Sequence, residues 1–319
     1  MGNYTKLISV CLATYNGEKY LRKQLDSLVN QTYKNFELIV QDDCSSDKTV
    51  EVLNSYKDKL NIEVYQNDKN IGYIKNFETV LKRAKGDFIA MCDQDDVWEL
   101  NKLELLMTNI GSSTLIYSDS LLIDENGNSL GKKFSESLKN NFITTSNPLS
   151  FLNDNCVSAH AMLFKKELLK YIFPFPENVF FDAWIAANAA SVEGVVFYDK
   201  CLVNYRQHSS NTLSKHTNKS KSKNLIKNKA MKKLQATETK IDAITSFLKI
   251  PLLQEDDKNL IINMRDEYML FEKSWFNFSL FQILLNNKDK LFPITKKNRF
   301  RLILKQSFGF KLYKMLPFL

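Results

Sequence analysis

With 319 residues, 44% of them hydrophobic and 25% charged, the chain is long enough for one large α/β domain with an extension, or for two modest domains, and its composition excludes a largely disordered protein. The net charge of +8 conceals an asymmetry. Residues 1–212 hold 22 Lys and Arg against 27 Asp and Glu, or −5, whereas residues 213–319 hold 22 against 9, or +13. We therefore expect the two parts to meet different partners.

The cysteines and the apolar runs indicate a cellular compartment. Five cysteines are scattered without a Cys-x-x-Cys pair, which is typical of reduced core residues in a cytosolic protein rather than of a disulfide framework or a zinc site. The first residues run directly into a strand pattern, so no signal peptide is expected. No uncharged apolar stretch reaches the ~18 residues that a membrane span needs. These features predict a cytoplasmic protein.

Residues 1–92 alternate short apolar runs with amphipathic stretches in four βα repeats. This pattern predicts an α/β fold with a doubly wound, mainly parallel sheet, whose ligands lie beyond the carboxyl ends of the strands. The predicted strands are 7–13, 36–41, 61–66 and 87–92, and the predicted helices are 17–30, 47–59 and 73–84. Polar clusters follow three of the strands, at 14–16, 42–43 and 93–96.

The pattern changes in the second half of the chain. Strands are predicted at 115–118, 161–164 and 195–198, and a short helix at 182–191. Residues 215–233, rich in Lys, Ser and Asn, predict a mobile linker or a weak helix, and an apolar stripe predicts one helix over 258–285. We therefore divide the chain into an α/β domain at 1–212 and a helical basic region at 213–319.

The segment Asp93-Gln94-Asp95-Asp96 ends an apolar strand with three carboxylates in four residues. A solvated turn that caps the next helix needs only one of them, so the cluster favours a divalent cation, Mg²⁺ or Mn²⁺, bound together with substrate phosphates. On extended chain Asp93 and Asp95 point to the same side, which makes them the better pair. The cation would stabilise the charge on a departing diphosphate.

Asp42 and Asp43 follow the second strand, and two interpretations stand. The pair forms an Asx turn before the next helix, or an aspartate here accepts a hydrogen bond from N3–H of a uracil or thymine ring. In the second case Tyr15, one strand away, stacks on the base.

Several motifs together resemble the family 2 inverting glycosyltransferases of GT-A fold, and most of all the rhamnosyltransferase-like members of bacterial surface-polysaccharide biosynthesis, which build capsule and O-antigen. The match covers roughly residues 7–211, about two thirds of the chain. The motifs that carry it are Ala13-Thr14-Tyr15-Asn16-Gly17-Glu18, Ser27-Leu28 with Gln31-Thr32-Tyr33, Phe36-Glu37-Leu38-Ile39-Val40, Asp42-Asp43-Cys44-Ser45-Ser46-Asp47 and Asp93-Gln94-Asp95-Asp96-Val97-Trp98.

The resemblance implies a GT-A catalytic domain at 1–212 and a nucleotide-diphosphate sugar donor carrying UDP or dTDP. Asp43 and Tyr15 would lie at the base, and Asp93 and Asp95 at the ribose and the metal. The other donor-side residues are Thr14, Asn16, Glu18, Lys75, Gln94 and Arg206. Two departures qualify this set: Cys44 stands where a glycine is usual, and residues 72–76 replace a longer Arg-Asn segment, which leaves the role of Lys75 open.

Inverting transfer is one in-line displacement, and it needs a base for the acceptor hydroxyl. Asp182 opens a helix after an apolar pair, where it either caps the helix or, as similar family members place their base there, removes that proton. Flanking apolar groups would raise its pKa by desolvation.

Residues 155–164 resemble the family's acceptor-facing segment. The acceptor residues expected are His160, Trp184 and Trp98, although His160 fits a hydrogen-bonded core histidine equally well. The segment 206–211 resembles the motif that closes the catalytic core. There Arg206 suits a diphosphate and His208 a further metal ligand, and a surface loop is the alternative.

The basic, aromatic tail at 298–319 has three interpretations. It is an amphipathic segment on an anionic membrane surface, a packing element against the domain or a second copy of the chain, or a nucleic-acid contact. We rank the membrane first and expect no nucleic acid, because no recognisable nucleic-acid fold accompanies the charge.

The sequence therefore predicts a metal-dependent inverting glycosyltransferase that uses dTDP-rhamnose or a UDP-hexose. The expected acceptor is a bacterial surface glycan, lipid-linked at the inner membrane face, and the C-terminal helices are a candidate homodimer contact. A nucleotidyltransferase and a non-catalytic sugar-nucleotide-binding or scaffolding subunit are the alternatives. The first would carry a Gly-rich basic loop near strand one, which residues 13–18 lack.

Overall fold

The computed structural model describes residues 5–138, 140–208, 225–295 and 298–315. Its nine strands form one mixed sheet in the order β3-β2-β1-β4-β8-β6-β9-β5, with β7 paired to β6. The strands are β1 (Ile8–Thr14), β2 (Phe36–Asp42), β3 (Ile62–Gln66), β4 (Phe88–Cys92), β5 (Val97–Trp98), β6 (Leu115–Ile123), β7 (Ser129–Lys133), β8 (Met162–Lys165) and β9 (Val195–Arg206).

Helices cover both faces of the sheet and form the C-terminal region. They are α1 (Glu18–Val29), α2 (Thr49–Asn54), α3 (Tyr73–Leu81), α4 (Lys102–Asn109), α5 (Phe134–Leu138), α6 (Leu169–Ile172), α7 (Phe181–Val192), α8 (Leu225–Phe247), α9 (Glu255–Met269), α10 (Phe278–Asn286), α11 (Lys288–Leu291), α12 (Arg299–Ser307) and α13 (Phe310–Met315). Short 3-10 turns lie at Pro148–Phe151, Ala159–Ala161, Lys166–Leu168 and Phe271–Lys273.

The four N-terminal strands are parallel, as the βα pattern predicts. Their register pairs Thr14 with Asp42, Asp42 with Gln66, and Leu12 with Cys92, so the strands end at one edge of the sheet. The polar clusters after β1, β2 and β4 therefore meet at that edge, which confirms the α/β arrangement expected around a carboxyl-end site.

The other half of the sheet is mixed. β8 is antiparallel to both β4 and β6, β5 is antiparallel to β9, and β9 is parallel to β6. An antiparallel strand begins at the edge where its neighbour ends. The residues just before β8 and just after β9 thus reach the acidic loop that follows β4, although they are distant in sequence.

Two hydrophobic clusters lie on opposite faces of the sheet. One holds α1, α2 and α4 against β1 and β2, with Leu25 and Leu53 among its fully buried members. The other joins α3 and α7 to the C-terminal helices, so that Ile244 and Ile261 share it with Ile185. The Trp184 and Phe247 rings meet in this cluster with centroids 6.2 Å apart. The C-terminal helices therefore pack on the α/β core.

The prediction of one continuous helix over 258–285 is wrong, because two helices cover this range. α9 ends at Met269, and α10 begins at Phe278 with Asn277 as its N-cap, whose side chain accepts the Leu280 amide at 2.9 Å. An asparagine that caps a helix start competes with helix continuation. Trp275, expected in the buried stripe, lies in the break and is 50% exposed.

The linker expected at 215–233 lies partly outside the described residues, and its last part is helical in α8. No described helix is both long and apolar enough to cross a bilayer.

Candidate active site at the carboxyl edge of the sheet

The loops after β1 and β2 are locked together by side chains predicted to bind the donor. Thr14, which is buried, donates to Asp42 Oδ1 at 2.8 Å. Asn16 Oδ1 and Glu18 Oε2 accept backbone N–H groups from the 45–48 turn at 2.9 and 2.8 Å. These contacts give the three side chains a bracing role. A donor contact for them stays a prediction.

Tyr15 and Gln94 link the first loop to the acidic loop. The Gln94 side chain accepts the Tyr15 amide at 2.9 Å and donates to the Tyr15 carbonyl at 3.0 Å. A Cβ on Gly17 would lie 2.3 Å from Gln94 Oε1, so this approach requires glycine. The Tyr15 side chain is 47% exposed, which leaves the ring available for stacking.

Asp43 organises the loop after β3. Its Oδ1 accepts Asn67 Nδ2 and the Ile71 amide, each at 2.8 Å, and its Oδ2 accepts the Gly72 amide at 2.9 Å. The carboxylate is almost fully buried, yet Oδ2 retains a lone pair for a further donor. The predicted contact with the base stays a prediction. Lys75, at the start of α3, pairs with Glu78 at 3.1 Å.

Asp93, Asp96 and His160 form one group, since β8 starts where β4 ends. His160 Nδ1 lies 3.7 Å from Asp93 Oδ2 and 3.8 Å from Asp96 Oδ2, and its Nε2 lies 2.9 Å from Ser120 Oγ. His160 is only 4% exposed and stacks on Tyr205, with ring centroids 4.5 Å apart. His160 is thus a buried, hydrogen-bonded histidine beneath the acidic loop, and its contact with the acceptor stays a prediction.

Asp96 is the most deeply buried carboxylate of the acidic loop. It is fully buried, its Oδ1 accepts the Arg206 amide at 3.0 Å, and its Oδ2 has no hydrogen-bond partner among the described residues. Burial, followed by the charges of Asp95 and Asp93, raises its pKa well above the usual range. A buried carboxylate with an unpartnered oxygen is costly, which favours a proton or a cation there.

Lys102 is a fully buried cation that the sequence did not single out. Its ammonium group donates to the His160 carbonyl at 2.5 Å and lies 3.2 Å from the centroid of the Trp98 ring. Burial lowers its pKa to about 7, against the opposing effects of Cys92, Asp96 and Asp93. Nothing in its sequence context separates it from an ordinary helix lysine.

Asp95 and His208 of the predicted metal set do meet. His208 Nε2 lies 2.8 Å from Asp95 Oδ2, and both side chains are partly exposed. The meeting follows from the antiparallel pairing of β5 with β9, which sets Val97 opposite Asn204. The predicted trio of Asp93, Asp95 and His208 is thus divided, because Asp93 lies with His160.

Arg206 braces the same loops. Its guanidinium group donates to the carbonyls of Asp95 at 2.7 Å, Asp124 at 3.2 Å and Glu125 at 3.1 Å. It also lies over the Tyr20 ring, 4.8 Å from the centroid, and the residue is fully buried. These contacts hold the acidic loop in place, and the predicted contact with a diphosphate stays a prediction.

Asp182 stands at the start of α7 and accepts the Ala183 amide at 2.8 Å. Burial, with a smaller contribution from the Asp93 charge, raises its pKa to about 7. Burial, together with the charge of Asp182, raises the pKa of Tyr73 at the start of α3. Tyr73 is 43% exposed, and the sequence analysis did not predict it as a site residue. The effect of the Asp93 charge on Asp182 indicates that Asp182 lies near the acidic loop. A carboxylate with a pKa near neutrality suits a general base.

Two predicted acceptor residues belong to the core instead. Trp98 is 1% exposed, and Trp184 is 3% exposed with its indole N–H donating to the Ile172 carbonyl at 2.9 Å. Large apolar rings are stabilised by burial, and here each lies on the inner face of its element. The acceptor contacts expected of these two side chains stay predictions.

The donor atoms at this edge fit a hard or borderline divalent cation. Asp93, Asp96 and His160 offer two carboxylate oxygens and an imidazole nitrogen within 4.8 Å of one another. Asp95 with His208 offers a second, more exposed pair. One or two carboxylates completed by substrate phosphates is the usual arrangement for Mg²⁺, and imidazole also suits Mn²⁺.

Comparison with known proteins agrees with this geometry. The model of Glycosyl transferase family 2 matches residues 9–173. The Escherichia coli UDP-Glc:alpha-D-GlcNAc-diphosphoundecaprenol beta-1,3-glucosyltransferase WfgD is 31% identical over 182 residues, which are 56% of this chain and 69% of WfgD. The Staphylococcus aureus poly(ribitol-phosphate) beta-N-acetylglucosaminyltransferase TarS is 39% identical over 122 residues, 37% of this chain and 21% of TarS.

Two solved structures share the fold. The structure of Staphylococcus aureus TarS residues 1–349 with UDP-GlcNAc superposes with a TM-score of 0.58 at 21% identity and covers 94% of this chain and 81% of that one. The mannosyltransferase PcManGT from Pyrobaculum calidifontis, with GDP-Man and Mn²⁺, gives 0.51 at 13% identity, with 99% and 89% covered. The match of the family model over more than half of the chain, on a sheet that gathers its acidic clusters at one edge, shows that the protein belongs to glycosyl transferase family 2, with the GT-A fold.

Proposed function

We propose that this glycosyltransferase is a metal-dependent inverting enzyme that moves a sugar from a nucleotide-diphosphate donor to a bacterial surface glycan. One observation carries the proposal. The acidic loop after β4, with its two histidines, and the start of α7, with Asp182, lie close enough that the charge of Asp93 raises the pKa of Asp182. The groups to which we assign phosphate binding and proton transfer thus lie near one another at the carboxyl edge of the sheet.

The donor side of the cleft is assigned to the loops after β1, β2 and β4. Tyr15 presents an exposed ring for the base, and Asp43 retains acceptor capacity for its N3–H. The ribose is assigned to Asp93, which is partly exposed. Because Gln94 and Gly17 fix the position of Tyr15, the base pocket depends on the acidic loop as well as on its own residues.

The acceptor hydroxyl loses its proton to Asp182. The oxygen of the acceptor hydroxyl forms a bond to the anomeric carbon of the donor sugar. The bond from that carbon to the diphosphate breaks on the opposite side, which inverts the configuration. Asp182 must be ionised for this step, and a pKa of about 7 leaves it both ionised at mildly alkaline pH and basic enough to accept the proton. The rings of Phe77 and Tyr73 pack on the ring of Phe181, the residue before it.

A divalent cation, when bound, would stabilise negative charge on the diphosphate. We assign it first to Asp95 and His208, whose partial exposure leaves room for phosphate oxygens. The group of Asp93, Asp96 and His160 is the second arrangement that fits, although the buried Lys102 ammonium nearby opposes a cation when it is charged.

The donor and the acceptor are proposed on the relatives. WfgD and TarS carry UDP-Glc and N-acetylglucosaminyl transfer in their names, which favours a UDP-hexose over dTDP-rhamnose. WfgD is named for a diphosphoundecaprenol acceptor, which supports a lipid-linked acceptor and a peripheral position on the inner face of the cytoplasmic membrane. Dimer formation through the C-terminal helices stays a prediction.

The test is a binding panel. Purified protein is titrated with UDP-glucose, UDP-N-acetylglucosamine, dTDP-rhamnose and GDP-mannose, each with and without Mn²⁺, by isothermal calorimetry. A uracil or thymine nucleotide sugar should bind more tightly with Mn²⁺, and GDP-mannose weakly. Equal affinity for all four, or no binding with or without the cation, contradicts the proposal.

A further inference from the structure

The C-terminal helices expose a continuous group of aromatic rings, here called the aromatic patch: Phe276, Phe278, Phe281, Phe300 and Phe308. The ring of Phe281 is central, with centroids 5.8 Å from Phe276, 6.4 Å from Phe278 and 5.8 Å from Phe300. Phe276 lies 5.9 Å from Phe308. Phe276, Phe278 and Phe300 are 37%, 62% and 54% exposed.

The backbone beneath the aromatic patch is well determined by hydrogen bonds. The Asn277 amide donates to the Ser307 carbonyl at 2.8 Å, and the Gly309 amide donates to the Trp275 carbonyl at 2.9 Å. A Cβ on Gly309 would lie 2.2 Å from Ser274 atoms, so the two segments approach as closely as glycine allows. Leu284 and Ile303 anchor α10 and α12 in the core. The rings are therefore held outward by the fold.

Positive charge borders the aromatic patch. Arg301 and Lys305 are one turn apart on α12, next to the turn that carries Phe300, and both are exposed. After Asp289 the sequence contains no acidic residue, whereas residues 291–319 contain seven Lys and Arg. A surface that combines exposed aromatic rings with positive charge complements anionic lipid headgroups above an apolar interior.

We propose that the aromatic patch, with Arg301 and Lys305, is the surface by which this protein docks on an anionic bilayer. The three exposed rings offer about 300 Å² of apolar surface, whereas a stable interface between two proteins buries about 800 Å² on each partner. Binding to a membrane through rings inserted among the headgroups does not need so large an area when electrostatic attraction to anionic lipids also contributes. The surface differs from the tail segment predicted from sequence, because three of its five rings, those of Phe276, Phe278 and Phe281, precede residue 298.

The purpose of this surface rests on the proposed function, since a lipid-linked acceptor would be presented at the membrane. The physical claim of docking does not require that function. Vesicle association and donor binding are therefore measured separately, so that either can fail alone.

The experiment is sedimentation of the full chain with phosphatidylcholine vesicles that contain phosphatidylglycerol, and with phosphatidylcholine vesicles alone. The wild type should partition into the anionic vesicles and leave them as salt is raised. The double substitution Phe278→Ser with Phe300→Ser, and separately Arg301→Gln with Lys305→Gln, should each lower the partition constant at least about ten-fold.

Matched controls lie elsewhere on the surface. Leu130→Ser removes a 47%-exposed apolar side chain from β7, and Lys57→Gln with Lys59→Gln removes the same charge from exposed positions after α2. Both should partition like the wild type, and all variants should keep their melting temperature and donor affinity. Equal partition of the wild type into neutral and anionic vesicles overturns the inference, as does unchanged partition of the patch variants. A dimer that Phe278→Ser with Phe300→Ser converts to monomer, with vesicle binding intact, also overturns it in favour of a contact between copies.

Discussion

The substitution Asp182→Asn tests the assignment of the base, because it keeps the shape of the side chain and removes its ability to accept a proton. A positioned general base contributes about 10² to 10⁴ in rate, so kcat should fall by that factor while the donor dissociation constant stays within about two-fold. Since the pKa of Asp182 is raised to about 7, the wild-type rate should rise from pH 6 to pH 8 with a midpoint near that value. The variant should lose this limb of the profile.

The same perturbation should stabilise the protein. Burial raises the pKa of Asp182 from 3.8 to about 7 in the folded state, so the folded form holds the proton more tightly than the unfolded chain does. The stabilisation of the folded state by this proton is fully present below pH 3.8 and is lost as the pH rises to about 7. The loss is at most about 4 kcal/mol. Asp182→Asn should recover part of it, more at pH 8 than at pH 5.

The assays are release of nucleoside diphosphate across a pH series and urea unfolding at both pH values. Asp199→Asn, at an exposed position in β9, is the control and should change neither. Transfer by Asp182→Asn at the wild-type rate, or an unchanged pH profile, would refute the reasoning. A gain in stability without a loss of rate would show that the raised pKa of Asp182 does not serve proton transfer.

Three further predictions concern the donor side. Tyr15→Ala should raise the dissociation constant for UDP, measured by calorimetry, about five- to fifty-fold because stacking on the base is lost. Tyr15→Phe keeps the ring and should bind UDP like the wild type. Equal affinities for all three proteins would exclude the ring from the base pocket. Gly17→Ala places a Cβ 2.3 Å from Gln94 Oε1 and should weaken UDP binding about ten-fold through displaced Gln94 and Tyr15, whereas an unchanged affinity would mean that this contact does not set the pocket. His208→Ala should weaken Mn²⁺ binding, measured by electron paramagnetic resonance, at least about ten-fold. His160→Ala should have little effect on it. A larger loss of Mn²⁺ affinity in His160→Ala than in His208→Ala would assign the cation to Asp93, Asp96 and His160.

Much of the carboxyl edge follows from local sequence. Apolar runs that stop in polar clusters predict where β1, β2 and β4 end, and parallel pairing then brings Tyr15, Asp43 and Asp93 together. The sequence also predicts Asp182 at a helix start, although α7 begins one residue earlier, at Phe181, with Phe180 at the N-cap position.

The sequence placed Asp95 and His208 in one metal set, but the pairing of His160 with Asp93 and Asp96 was not predictable. It depends on β8 entering the sheet antiparallel to β4, and such pairing is settled by contacts between residues 73 or more positions apart in the sequence. For the same reason sequence reasoning joined Asp93 to His208, whereas the fold joins it to His160.

Burial of single side chains was the other gap. Trp98, Trp184 and Lys102 look like surface or site residues in a linear motif, yet all three lie inside. The inner face of β5 and the packing of α7 on the C-terminal helices decide their burial, and neither is visible locally. The break between α9 and α10 had a local signal in Asn277, which the apolar periodicity around it obscured.

The most direct test of the central claim compares wild type with Asp182→Asn in release of nucleoside diphosphate from the tightest-binding nucleotide sugar, with a bacterial lipid extract as the source of acceptor. The account predicts release that requires Mn²⁺ or Mg²⁺, depends on the extract and falls by about 10² or more in the variant. Release that is independent of the extract and unchanged in Asp182→Asn, or none from any donor with either cation, would contradict it.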